Sequence, residues 1–171
     1  NDDCLNELLS YTERDDVGIT GARLLYEDNT VQHAGVVIGY NGLAGHTFVG
    51  NEPDDVGYHA YVIQARDYSA VTAACLMVKA SLYDEVGGFE EELEVAFNDV
   101  DFCLKVREKG YLVVYNPYAV LHHYESKSRG YEDTPEKRNR FEKEAFFTYN
   151  KWEKILADGD PCYNPNLTLS I

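Results

Sequence analysis

The sequence predicts an α/β fold: a mixed β-sheet with flanking helices, in a single domain over residues 1–171. Three observations predict it. Apolar, β-branched runs of strand length recur at residues 17–25, 71–79 and 111–115. Helical patterns with start and stop signals follow at 98–109 and from Thr134 onward. The chain's 171 residues, 44% of them hydrophobic, suffice for one sizeable core, and no linker, internal repeat or low-complexity tract divides them.

Taken in order, residues 1–11 read as a short helix, with Asp2 or Asp3 as its cap and Leu5, Leu8 and Leu9 as its apolar face. Residues 17–25 (VGITGARLL) are strand-like, Glu27-Asp28-Asn29 makes a turn, and 31–39 (VQHAGVVIG) returns, so the pair reads as a β-hairpin. Residues 40–58 are rich in Gly, Asn, Asp and Pro and read as a long surface loop. Strands are expected at 61–68 and 71–79; the second is nearly all apolar, hence central and covered on both faces. A short helix at 80–86 leads to VGGFEEELEVAFNDVDFCLKVREKG, in which a Gly87-Gly88 turn and an acidic loop precede a helix. Asn98 is expected to cap that helix, Asp99 and Asp101 to suit its positive end, and Val100, Cys103, Leu104 and Val106 to face the core. Residues 111–115 form a strand that Asn116-Pro117 breaks and 119–123 resume. Thr134-Pro135-Glu136 starts a long helix ending near Gly159, with Phe141, Ala145, Tyr149, Trp152 and Ile155 on one face. The tail, 160–171, reads as irregular surface chain.

The formal net charge is -15. Such a surface disfavours nucleic acid and anionic membrane, and repels a free nucleoside diphosphate unless a divalent cation intervenes. Cys4, Cys75, Cys103 and Cys162 are scattered, form no C-x-x-C pair and read as free thiols in a reducing compartment, which places the protein in the cytoplasm. The longest apolar run, 70–78, spans a strand and not a membrane. With Met77 its only methionine and Asn1 its first residue, the chain is expected to be a piece of a longer protein.

Asp99 heads the candidates for chemistry, because a carboxylate at a helix N-terminus can serve as a general base if it faces substrate. The competing reading is that Asn98, Asp99 and Asp101 only cap the helix. His122 and His123 end a strand, where alternation lets one ring of the pair face a given site and serve as a metal ligand. His33 and His46 invite the caution due to any lone histidine. Ser126-Lys127-Ser128-Arg129-Gly130 gathers hydroxyls and cations in the pattern of a phosphate clasp.

The order of these pieces resembles the C-terminal half of a family 2 glycosyltransferase catalytic domain. VTAACLMVKASLYDEVGGFEEEL, FNDVDFCLKVREKGYLVVYNPYAVLHH and ESKSRG carry the resemblance. GARLLYEDNTVQHAGVVIG and DPCYNPNLTL are similar to bacterial members that build surface polysaccharides. The resemblance implies the C-terminal portion of a glycosyltransferase-A (Rossmann-like) fold and inverting transfer from a nucleotide sugar to a saccharide or lipid-linked hydroxyl acceptor. The family's Glu-Asp pair falls on Asn98-Asp99: the base position is kept as Asp99, and its neighbouring acid is replaced by Asn98. The family's histidine falls on His123, a ligand to a divalent metal (Mg²⁺ or Mn²⁺). Gly87, Gly88 and Phe89 fall where donor and acceptor meet, and Lys127 and Arg129 where phosphate is steadied.

The resemblance also implies that the nucleotide-binding half and the main metal motif lie before Asn1, so the isolated fragment is expected to be inactive. Exposed sheet near 17–25 or 71–78 is expected to favour self-association, and the longer protein is expected to sit in the cytoplasm, at most peripheral to the membrane. Two other classes accommodate the same residues: a non-catalytic carbohydrate-binding or assembly module, and a metal-dependent hydrolase using Asp99 and His123.

Overall fold

The computed structural model describes residues 3–124 and 134–170. Its centre is β1 (Val17–Leu25), whose nine residues are all buried. On one side β1 runs parallel to β7 (Leu112–His122), in register from Val17↔Leu112 to Leu25↔His122. On its other side β2 (Val31–His33) and β6 (Leu76–Val78) each pair antiparallel with part of it, and β5 (Arg66–Asp67) borders β7. A second, two-stranded sheet joins β3 (Val36–Ile38) to β4 (Ala44–His46).

Strand alternation sends the two faces of β1 into different packing layers. Ala22 and Leu24 meet Cys4 and Leu8 of α1 (Cys4–Thr12), while Thr20 Oγ1 accepts a hydrogen bond from Thr12. Ile19 belongs to the larger core, built with Val113 and Tyr115 of β7 and with Phe102, Cys103 and Val106 of α3 (Asn98–Glu108). The sheet is thus covered by helices on both faces. The mixed sheet and flanking helices match the architecture read from the sequence and are consistent with a glycosyltransferase-A-like fold.

Several local expectations change. The central strand is β1, not 71–79: only Leu76–Val78 pairs, at partial burial. Val71 is buried for another reason: it crosses β1 at Gly21, where an added Cβ would lie 2.5 Å from its side chain. Of residues 61–68 only Arg66–Asp67 is strand. The expected return arm of the hairpin splits after His33, because Gly35, at φ +105, turns β3 away into the second sheet. The loop 40–58 contains β4 and short 3-10 turns at Tyr40–Gly42 and Tyr58–Ala60. Asn116 and Pro117 do not break β7; they shift its register, so that Ala22 faces Asn116 and Arg23 faces Val120.

The helices α2 (Ala80–Glu85), α3 and α4 (Pro135–Lys151) stand where expected, and Thr134 Oγ1 accepts from the Lys137 amide as a cap should. Their faces differ. On α1 the buried stripe is Cys4, Leu8 and Thr12, with Leu5 and Leu9 exposed. On α4 it is Glu144 and Thr148, followed by Trp152, while Phe141 and Tyr149 are exposed. A kink at Trp152 separates α4 from α5 (Glu153–Asp158). The tail holds the core from outside: Asp160 accepts from the Ile38 amide at 2.7 Å and from Ser69 Oγ at 2.6 Å. The apolar face expected at 17–25 is not exposed, since β1 is covered throughout.

Candidate active site

The parallel pair β1 and β7 ends together, and the ladder continues one step as the His123 amide donates to the Leu25 carbonyl at 3.0 Å. In α/β sheets the carboxyl ends of strands are where ligands sit, since loops there converge without blocking the sheet. A cavity of about 540 Å³ lies here. His123, His46, Gln32, Phe97, Asn98 and Asp99 are among the residues lining it. The structure therefore brings together three of the residues singled out in the sequence, Asn98, Asp99 and His123.

Asn98 does not cap α3. The cap position belongs to Phe97, a non-glycine residue in the left-handed region at φ 61, and no side chain caps the helix. Phe97 packs on Phe141 of α4, ring centroids 5.5 Å apart, and the preceding Ala96 amide donates to buried Glu144 at 2.6 Å. Together these contacts fix the strained residue at the cavity wall. Asp99, half-buried, accepts from the Ala73 amide at 3.2 Å through Oδ2 and from its neighbour Val100 at 2.9 Å through Oδ1. Each carboxylate oxygen can accept more than one hydrogen bond, so capacity remains for a substrate hydroxyl.

Gln32 organises both histidines of the cavity. Its backbone carbonyl takes the Nδ1–H of His46 at 3.1 Å, and its side-chain Oε1 takes that of His123 at 2.9 Å. In each ring Nε2 is then the nitrogen left with the acceptor lone pair. Below them His33 is fully buried, with Nδ1 donating to the Ala22 carbonyl at 2.9 Å and Nε2 accepting from the Thr72 amide at 3.2 Å. Burial, with a smaller contribution from the charge on His46, lowers its pKa to about 3, so it is a neutral structural pivot.

Other expected residues lie elsewhere. His122 is exposed, and its Nε2 bonds Asn29 Oδ1 at 2.8 Å. Gly87, Gly88 and Phe89 do not line this cavity: Phe89 packs edge-on against Tyr83 and tilted against Phe102, and the Gly88 carbonyl is held by Lys105 Nζ at 2.5 Å. Asp101 is wholly buried, its Oδ1 accepting from Trp152 Nε1 at 2.9 Å and pairing with Lys151 Nζ at 2.8 Å, so it clamps α3 to the kink at Trp152. Lys127 and Arg129 fall outside the described residues. All four cysteines are free, and burial pushes the Cys103 thiol up to about 12.

For a divalent metal, His123 offers an imidazole oriented through its far nitrogen by an amide, the arrangement metal-binding histidines commonly have. Among the described residues no group of three or more His, Cys, Asp or Glu side chains could hold a metal ion. Gln32 and Phe97 carried no functional signal in the sequence, and His46 only that of any lone histidine; their roles arise from β2, β4 and the start of α3 meeting in space.

No family model matches the chain. It is 50% identical over 168 residues to an uncharacterized protein of Sinorhizobium fredii, covering 98% of this chain and 18% of that protein. Over 168 residues it is 36% identical to the O-antigen biosynthesis protein RfbC of Myxococcus xanthus, covering 97% of this chain and 13% of the relative. Over 60 residues it is 35% identical to the N-acetylglucosaminyl-diphospho-decaprenol L-rhamnosyltransferase of Mycobacterium tuberculosis, covering 35% of this chain and 20% of that enzyme. The chain is thus similar to an O-antigen biosynthesis protein over nearly all its length and to a rhamnosyltransferase over about a third of it. It spans a fifth or less of the length of these curated relatives. No described helix is long and apolar enough to cross a membrane.

Proposed function

We propose that this chain is the acceptor-side part of a polysaccharide-type glycosyltransferase and that Asp99 is its base. The observation that carries the proposal is the convergence of Asp99 and His123 on one cavity at the carboxyl ends of β1 and β7. An acceptor hydroxyl attacks the anomeric carbon of a nucleotide sugar as its proton passes to Asp99. The bond to the diphosphate breaks with its electron pair on the leaving oxygen, and attack from the face opposite that oxygen inverts the anomeric centre. A divalent metal, when bound, supplies charge compensation to the diphosphate. His123 Nε2 is this chain's contribution to holding it. Lys127 and Arg129 steady the phosphates, and Gly87, Gly88 and Phe89 bear on the acceptor through the loop that ends at Phe97.

In this proposal the donor's nucleotide is recognised by residues outside this 171-residue sequence, so the isolated chain transfers no sugar. The reaction belongs to the cytoplasm, where free thiols such as these persist. The test is Asp99→Asn in the full-length protein. Turnover is expected to fall on the order of a hundredfold or more with the fold retained. Near-normal turnover in a folded variant refutes the assignment.

A further inference from the structure

Immediately after His46, which lines the site above, Thr47 lines a second cavity of about 240 Å³. Its walls are aromatic: Tyr40, Phe48, Tyr58, Tyr61, Tyr68 and Tyr163. One cation is set among them. The Arg66 guanidinium carbon lies 3.4 Å from the Tyr61 ring centroid and 4.6 Å from that of Tyr68. Its Nη2 donates to the Cys162 carbonyl at 3.0 Å. Its Nη1 is buried and meets no hydrogen-bond partner, and among the described residues no carboxylate pairs with it. Tyr68, only 2% exposed, has its hydroxyl buried beside Thr47 with no hydrogen bond of good geometry.

Buried polar atoms in native proteins are nearly always bonded, and each exception calls for a cause. Here a guanidinium nitrogen lacking an acceptor and a hydroxyl with only a poor bond lie on residues that wall one cavity. Aromatic faces offset part of the cost of desolvating a guanidinium, but a carboxylate meeting it through charge-assisted hydrogen bonds offsets far more. Tyrosine walls suit a ring with apolar faces and a polar rim. The volume is below the roughly 300 Å³ at which drug-sized pockets begin, so it admits one ring and not a chain of them. One guanidinium in a protein of net charge -15 favours a monoanion over a doubly charged phosphate.

We propose that this cavity is a second saccharide subsite, which takes one sugar residue bearing a carboxylate, with the carboxylate on Arg66 Nη1 and the Tyr68 hydroxyl and the ring against the tyrosine walls. That a sugar carries the anion rests on the glycosyltransferase reading; that Arg66 awaits an anion does not. In a polysaccharide enzyme such a subsite would select an acidic unit of the acceptor, away from the bond being made.

The test is titration of the ¹⁵N-labelled chain with D-glucuronate, D-glucose, acetate and inorganic phosphate, followed by amide shifts. Glucuronate is expected to move the amides of Thr47, Phe48, Arg66 and Tyr68 and to bind about tenfold tighter than glucose, the difference a charged hydrogen-bonded pair makes. Tyr68→Phe removes only a hydroxyl that makes no well-formed bond, so it should keep the fold and weaken glucuronate about threefold or more. Asp99→Asn should leave this binding unchanged, which separates the subsite from the proposed base. Glucose, acetate or phosphate binding as tightly as glucuronate overturns the proposal. So does an unchanged affinity in Tyr68→Phe, or no shift with glucuronate up to about 50 mM, beyond the weakest specific affinities. None of these outcomes touches the Asp99 assignment, which turnover in the full-length protein decides.

Discussion

Gln32 and His123 hold each other by two hydrogen bonds: His123 Nδ1 to Gln32 Oε1 at 2.9 Å, and Gln32 Nε2 to the His123 carbonyl at 3.2 Å. A carbonyl can only accept, so the Gln32 amide nitrogen must face it and the amide oxygen must face the ring. His123 Nδ1 must then carry the proton. In ¹⁵N NMR of the neutral rings, His123 and His46 are both expected as Nδ1–H tautomers. Gln32→Leu should release His123 to a mixture while leaving His46, bonded to the backbone of residue 32, unchanged. A neutral His123 that is already an Nε2–H tautomer contradicts this orientation.

The same bonds separate the two adjacent histidines. His123 is part of the cavity wall, whereas His122 is exposed and tied to Asn29 on the β1–β2 turn. In the full-length protein His123→Ala should raise the metal concentration for half-maximal activity about tenfold or more, and Gln32→Leu should follow it in the same direction. His122→Ala should change it much less. Equal effects of the two histidine variants, or the reverse order, reject His123 as the ligand.

The sequence pattern located α3, the start of α4 and β1 because each is written locally: α3 and β1 in apolar periodicity, α4 in the Thr134 cap and Pro135. It could not say which apolar run is central. Residues 71–79 are as apolar as a central strand, yet Val71 is buried by lying across Gly21, a contact periodicity does not encode. On α4 the expected stripe was right only at its end: Trp152 is buried on Asp101 and Ile155 packs on the core, but Phe141 and Tyr149 are exposed, because the helix itself docks through Glu144 on the Ala96 amide. Asp99 and His123 could be read as candidates because their residue types carry chemistry. Gln32 could not, since its role exists only once β2, β4 and the end of β7 are side by side.

His33 links the site to acid stability. Burial, then the charge on His46, takes its pKa from 6.5 to about 3. Between those values the unfolded chain binds a proton at His33 that the folded chain refuses. Its contribution is therefore complete above about pH 6.5 and is lost as pH falls toward 3, at about 1.4 kcal/mol per pH unit. The ring resonances of His33 should accordingly show no titration between about pH 7.5 and 4.5 while the protein stays folded. A midpoint near 6.5 would show that the ring is not buried and bonded as described.

Asp101 offers the sharpest test of how the helices around the site are held. Its carboxylate is wholly buried, with Trp152 Nε1 and Lys151 Nζ on Oδ1 and Lys105 Nζ 3.4 Å from Oδ2, an ion pair without a hydrogen bond. Lys105 in turn holds the Gly88 carbonyl and Lys151 pairs with Glu90, so one carboxylate ties α3, the Trp152 kink and the loop of residues 87–97 together. Removing it leaves the indole N–H without its acceptor and takes one partner from each of two partly exposed ammonium groups, a loss of about 3 kcal/mol, the low end for a broken buried pair. Asp101→Ala should therefore lower stability to urea by about that amount, whereas Asp101→Asn, which can still accept from the indole, should lose less. Trp152 is the only tryptophan, so its fluorescence reports the site without labelling. Emission should shift to the red in Asp101→Ala before global unfolding, as the kink loosens. A variant as stable as the parent, with unshifted emission, would mean that Asp101 only decorates the first turn of α3.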